Sequence, residues 1–326
     1  MSFVRRTQDL IICCACTSCL RLYHLFVDTS SFALLLLKFN CNILIISKSW
    51  FSNNVSYELY TISFDVHPDF MPGLNEYVEP AWAAIRPSPH AELHGSAFLI
   101  PNTEADGLDR QEAGYNVLNV TFITYDGEVV ENVGLYVPKK PYVEGSGSEG
   151  IPSYRYLKLL KDGAREGNLA SDWLDKLDAF EYYVTPAHVR AKTLQWISKF
   201  HSDETCKDEL WTAEKLAQHD GSDPNNFPTC TSIMQYVIQI NPERWVFASW
   251  KGHNITRRNL LQFNGKSLDA NDIRHDEPGY RPLPKLCECS DDEKEYLMQS
   301  LEGLLHFGGR IVAQYEPFVA DQYFEK

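Results

Sequence analysis

The run from Tyr115 to Pro138, YNVLNVTFITYDGEVVENVGLYVP, constrains this chain more than any other stretch. Two β-branched and aromatic segments alternate in polarity and meet at Asp126-Gly127, the dipeptide that suits a tight hairpin turn. Two more segments read as strands: YELYTISFDV at 57–66 and AELHGSAFLIP at 91–101. Between them, PGLNEYVEPAWAAIRPSP is extended and punctuated by proline. Downstream the period changes to that of a helix. Tyr156, Leu157, Leu160 and Ala164 share one helical face, Gly167 ends that helix, and Ser171 is placed to cap a second one bearing Trp173, Leu174 and Leu177. Thr185 to Ser202 reads as a connector helix. Strands first and helices after them give an α+β class, most simply a small antiparallel β-barrel or curled sheet with helices flanking it.

At 326 residues the chain has room for two domains of ordinary size, and 44% hydrophobic residues are enough for real cores. A net charge of −14 and a pI near 5.2 exclude nucleic acid and anionic membrane as partners of the chain as a whole. Cys13, Cys14, Cys16, Cys19 and Cys41 crowd the start, and the remaining cysteines are scattered. CCACTSC lacks paired C-x-x-C blocks and neighbouring histidines, so no metal site is expected there. The absence of a disulfide framework in the body fits a reducing, cytoplasmic location. Residues 1–62 are irregular and apolar. Arg5 and Arg6 before an apolar run imitate a signal peptide, and SFALLLLKFNCNILII falls short of a clean spanning helix. A targeting segment or anchor, a buried element and a non-native stretch are the competing readings. The lack of helix or strand period favours the last, and no membrane partner is expected unless the segment is a real anchor.

Several polar groupings invite chemistry. HAELH sets His90, Glu92 and His94 on one side of a strand; the neighbouring prolines disfavour a helix, and ordinary strand residues are expected over metal ligands. Cys287-Glu288-Cys289 is a lone pair of thiols without partners. KGHNITRRN, locally basic, reads as a solvated face, and EGSGSEG as a mobile flap or linker. Three N-x-S/T sequons start at Asn54, Asn119 and Asn254.

Glu112 stands apart. Asn102 and the acids after it read as a helix start, and Gly114 as its stop. Glu112 therefore falls in the last turn, where the helix dipole disfavours a negative charge. Beside a sheet, that position raises a carboxyl pKa, which suits a group that accepts and releases a proton near neutrality.

GSAFLIPNTEADGLDRQEAGYNVLNVTF resembles the segment of gamma-glutamylcyclotransferases in which a strand leads to an L-D-x-x-E-G-like turn and then to a Tyr-bearing strand. IPSYRYLKLLKDGAREGNLASDWLDKL resembles the same family's P-S-x-x-Y-L…G-A-x-x-x-G-L region, with Asn168-Leu169-Ala170 in place of Gly-Leu-Pro. EPAWAAIRPSPHAELHG is similar to the strand pair before the catalytic helix. The resemblance spans about residues 63–180 and implies that a γ-glutamyl group is cyclised to 5-oxoproline with release of an amine. Glu112 matches the position of the catalytic glutamate, and Tyr115 is a substrate-binding candidate beside it. The family's Y-G-S-N-L loop, which holds the glutamyl carboxylate, is not found in residues 1–54. Its absence raises the alternative of an inactive binding or scaffold protein.

The implied domains are 63–200 and 206–326, preceded by the irregular segment 1–62. LWTAEKLAQHDGSDPNNFPTCTSIMQYVIQIN resembles the opening of cytochrome b5-like domains, and KGHNITRRNLLQFNG could occupy the helical region that follows. His253 is the only suggestive haem ligand, no axial pair stands out, and an interaction or structural module without cofactor is expected. DDEKEYLMQSLEGLLHFGGRIV reads as an amphipathic helix with Tyr296, Leu297, Leu301, Leu304 and Leu305 on one face, ending at Gly308-Gly309.

Overall fold

The computed structural model describes residues 8–13, 41–45, 47–48, 57–58, 60–66, 78–88, 91–101, 115–139, 150–204, 209–241, 250–266 and 285–316. They fall into two compact units, one drawn from 1–67 and 81–183, the other from 68–80 and 184–326. Among the described residues no helix is long and apolar enough to cross a membrane.

The first unit is built on a curled sheet. Its strands are β1 (Gln8–Cys13), β2 (Cys41–Ile45), β7 (Leu93–Pro101), β8 (Tyr115–Thr124) and β9 (Val129–Pro138), in the order β1-β7-β2-β8-β9. β7 pairs antiparallel with β1 on one side (Leu10↔Leu99) and with β2 on the other (Ile43↔Gly95). The curl brings β1 alongside β9 as well, in parallel at Ile11↔Gly134. Two short ribbons accompany this sheet: β3 (Ser47–Lys48) with β4 (Tyr57–Glu58), and β5 (Tyr60–Val66) with β6 (Trp82–Pro87). The hairpin expected from sequence is β8–β9. Gly127 takes the positive φ of 85° that its turn needs, and the Thr124 and Glu128 backbones close the loop at 2.9 Å. Gln8–Cys13 and Cys41–Ile45 differ from the sequence reading, which leaves 1–62 irregular. LIIC and ILI are continuous apolar runs, and a run without alternation carries no period-2 signal.

Helices α1 (Tyr154–Glu166) and α2 (Ser171–Asp178) complete this unit. The Ser153 hydroxyl caps α1 by accepting the Tyr156 N–H at 3.0 Å. Leu157, Leu160 and Ala164, the stripe read from the sequence, are buried with Phe64, Leu93, Phe122 and Leu135 in one core. The end of α1 divides its labour between two residues. Asn168 adopts the left-handed φ of 51°, while the Asn168 and Leu169 N–H groups bond back to Arg165 and Ala164 in a Schellman arrangement. Gly167 relieves crowding instead, since a Cβ there would lie 3.0 Å from Ser96 Oγ and 3.1 Å from the Gly163 carbonyl. Ser171 proves to be the first helical residue of α2 and not its cap; Ala170 holds the cap position without a side-chain bond.

The second unit has a four-stranded sheet in the order β10-β13-β12-β11, from β10 (Leu210–Trp211), β11 (Cys230–Ile233), β12 (Tyr236–Gln239) and β13 (Arg310–Tyr315). Only the β10–β13 pair is parallel. Among the described residues its α-helices are α3 (Ala187–Ser202), α4 (Ala213–Ala217), α5 (Thr256–Phe263) and α6 (Asp291–His306). α3 matches the connector helix read from sequence, and Val189, Thr193, Ile197 and Phe200 form its buried stripe. α6 begins with a complete Ser290/Glu293 capping box. Its second half departs from an amphipathic pattern: every residue from Tyr296 to Leu305 is buried, including Gln299, Ser300 and Glu302. Gly309 follows because a Cβ there would meet the Leu304 carbonyl at 2.6 Å.

Burial of Glu302 is compensated locally. Arg190 Nε and the Thr185 hydroxyl, the latter at 2.9 Å, both donate to its carboxylate, and Arg190 also reaches Glu295 at 2.7 Å. Desolvation raises the Glu302 pKa, and Arg190 opposes that shift. Arg190→Leu leaves the carboxylate buried with a single hydroxyl, at an expected cost of about 3 kcal/mol in urea unfolding of the second unit. Arg190→Leu with Glu302→Leu should recover more than half of that loss.

Candidate functional site

The sequence nominates two residues between β7 and β8. These strands run parallel, each antiparallel to β2 between them, so residues 102–114 join the end of one to the start of the other. Glu112 lies outside the described residues. Tyr115 opens β8, half-buried, with Pro138 as its partner across the hairpin. The hydrogen-bonded ladder of β8 with β2 covers Ile123 and Thr124, near its far end. Asn116 to Asn119 are exposed, and Val117 and Leu118 show apolar surface on successive faces of the strand.

Among the described residues, a grouping of polar side chains sits at the other end of β8, about 30 Å away along an extended strand. His94, in β7, is 5% exposed, and its ring stacks on that of Trp173 in α2, with centroids 5.2 Å apart and planes at 12°. His94 Nδ1 meets Tyr125 Oη at 2.7 Å, just past β8. Tyr125 Oη in turn accepts the Ala170 N–H at 2.9 Å, at the start of α2. On the other side of the imidazole, Nε2 lies 3.6 Å from the exposed Glu92 carboxylate. Lys176 Nζ stands 4.8 Å over the Trp173 ring and donates to Thr61 Oγ1 at 3.0 Å. Burial holds His94 below the ordinary imidazole value against the pull of Asp172 and Glu92, and burial likewise raises Tyr125 and lowers Lys176.

Of the HAELH residues set on one side of a strand, the structure describes Glu92 and His94. His90 lies outside the described residues, while Glu92 and His94 approach each other. Among the described residues no three His, Cys, Asp or Glu side chains gather as a metal ion would require. Sequence reasoning missed Tyr125 and Trp173. The available signal was an aromatic residue directly before the Asp-Gly turn, but its partners lie far away in sequence.

In the second unit the basic run KGHNITRRN is not the solvated face expected of it. Gly252, Asn254, Ile255, Thr256 and Asn259 are buried, and Arg258 stacks over Trp250 at 5.1 Å. Asn254, 1% exposed, donates to Ser232 Oγ at 2.8 Å and accepts the Thr256 N–H at 3.0 Å. Thr256 Oγ1 accepts the Met234 N–H at 2.7 Å and so holds Met234 at a φ of 50°. Of the three sequons, Asn119 is exposed, Asn254 is sealed in this knot, and Asn54 lies outside the described residues. His253, the nominated haem ligand, is half-buried, and its carbonyl accepts from Ser232 N–H and Thr231 Oγ1.

A groove of about 330 Å³ beside α5 is lined by Arg257, Leu260, Asn264, Lys285, Cys289 and Glu293. The Cys289 thiol is pushed up to about 11 by burial and by the neighbouring Glu293, so it is a poor nucleophile.

No protein-family model matches the sequence, and no curated protein does. Solved structures show a partial likeness, among them the following three. An uncharacterized human protein aligns at a TM-score of 0.40 and 18% identity over 56% of this chain and 93% of its own. A gamma-glutamyl cyclotransferase aligns at 0.39 and 19%, over 55% and 92%. YkqA of Bacillus subtilis aligns at 0.39 and 13%, over 55% and 57%. Nothing in these comparisons supports the cytochrome b5-like reading of 206–326.

The thiols rank by exposure and burial. Cys287 is exposed, Cys289 is half-buried, and the buried Cys230 is pushed up to about 12. Of these three, iodoacetamide at pH 8 should therefore alkylate Cys287 first and Cys289 more slowly. Cys230 should react only when the second unit unfolds, as peptide mass spectrometry with time will show.

Proposed function

We propose that the first unit is a gamma-glutamylcyclotransferase-like domain, a small antiparallel β-barrel that converts a γ-glutamyl group to 5-oxoproline with Glu112 as general acid and base. The observation that carries the reading is connectivity. The block GSAFLIPNTEADGLDRQEAGYNVLNVTF lies on β7, the 102–114 connection and β8, so Glu112 stands three residues before the Tyr that opens the second strand. The second block of the resemblance supplies the Ser153 cap, the buried Leu157 and Gly163, and the close approach of Gly167 to Ser96.

In this reading the substrate's own α-amine attacks its γ-carbonyl carbon, a ring N–C bond forms, and the bond from that carbon to the departing nitrogen breaks. Both reacting groups belong to one molecule, so proximity supplies much of the rate. Glu112 takes the proton that the attacking ammonium must lose and returns it to the departing amine, and the reaction needs no cofactor. Tyr115 borders the substrate, a γ-glutamyl small molecule in the cytoplasm. The second unit is an interaction or structural module.

An alternative rests on a specific observation. The sequence before residue 55 holds no Y-G-S-N-L loop to grip the glutamyl carboxylate, which favours a non-catalytic binding module on the same scaffold. Release of 5-oxoproline from γ-glutamyl dipeptides and glutathione, followed by chromatography, separates the two. Glu112→Gln should lower kcat by roughly 10²–10⁴-fold with the fold intact by circular dichroism. Equal activity in both proteins would remove Glu112 from the mechanism, and no release by either would favour the binding module.

A further inference from the structure

Three elements of the first unit meet at one imidazole. β7 supplies His94 and, just before it, Glu92; the loop of the β8–β9 hairpin supplies Tyr125; α2 supplies the Ala170 N–H, Asp172, Trp173 and Lys176. With the His94 ring proton on Nε2, beside Glu92, the chain of protons runs one way. A backbone N–H can only donate, so Tyr125 Oη accepts from Ala170 and has its own proton for His94 Nδ1. Ala170 has no capping side chain, so this tyrosine hydroxyl does the work of a cap brought from another element.

We propose that His94 is a proton-sensitive latch that locks the tip of the β8–β9 hairpin to the start of α2. A protonated imidazole is a donor at both nitrogens. Its Nδ1–H would compete with the Ala170 N–H for the Tyr125 oxygen, and the Tyr125 proton would lose its acceptor. The new charge would also be nearly sealed from water against the Trp173 indole, which Lys176 already flanks with a cation. Glu92 and Asp172 pull the other way, but Glu92 is largely solvated, so its attraction is screened. Burial is the larger influence on His94 and depresses its pKa in the folded state. The latch is therefore fully closed above the ordinary imidazole value of 6.5 and loosens as pH falls through the lower, folded value. This device is independent of the activity proposed above, since it sits at the opposite end of β8 from Tyr115.

Site-resolved amide hydrogen exchange on the full chain tests it, with rates corrected for intrinsic exchange between pH 8 and pH 5. Protection of the Ala170 amide should fall about tenfold, with a midpoint below 6.5, the scale of one lost hydrogen bond. His94→Gln keeps an acceptor for Tyr125 but cannot titrate there, so its Ala170 protection should not change with pH. Tyr125→Phe should leave Ala170 weakly protected at both ends of the range, with the Leu160 amide in α1 unaffected. An unchanged wild-type protection overturns the latch. So does a fall that persists in His94→Gln, or one that the Leu160 amide follows in step.

Discussion

The first unit depends on the close approach of the end of α1 to β7. β7 is paired on both edges, by β1 and by β2, so it cannot move to accommodate a helix. Gly167 eases this approach: a Cβ there would lie 3.0 Å from Ser96 Oγ and 3.1 Å from the Gly163 carbonyl, so those neighbours would have to give way. Immediately afterwards Asn168 turns left-handed and Leu169 returns to the core, which aims α2 at the imidazole two residues along β7 from Ser96. The stack of His94 on Trp173 and the bond from Ala170 to Tyr125 follow from that one contact.

The second unit solves a different problem. α6 is covered on every side over its second half, so its polar residues had to find partners inside. Arg190 and Thr185, both from the region of α3, provide them for Glu302. The Asn254 knot does the same for backbone groups around Met234, whose φ of 50° is costly for a side chain of that size. Sequence shows each of these residues as an ordinary polar one. Their value comes from a partner more than a hundred residues away or from a turn conformation that composition does not announce.

What was legible had a local cause. The β8–β9 hairpin announced itself by alternation and Asp126-Gly127, and α1 by a stripe of period 3.6. β1 and β2 were illegible because an unbroken apolar run suits a strand and a buried helix equally. The basic run around Arg257 misled because charge was taken for exposure, although arginine can bury its stem over an indole. At the candidate site, Glu112 and Tyr115 were nominated from local sequence and the family resemblance, and Glu112 lies outside the described residues. The His94 grouping was half seen, as HAELH, but only folding joins His94 to Tyr125 and Trp173.

The sealed position of Asn254 bears on the route by which such a chain can be made. Oligosaccharide transfer to an N-x-T tripeptide acts on an asparagine while the chain is still emerging, before burial can protect it. A sugar on that amide would displace the donor that Ser232 and the Met234 carbonyl receive, and the second unit could not close around it. Maturation in a compartment with that machinery would thus set glycan addition and folding in competition for one nitrogen atom.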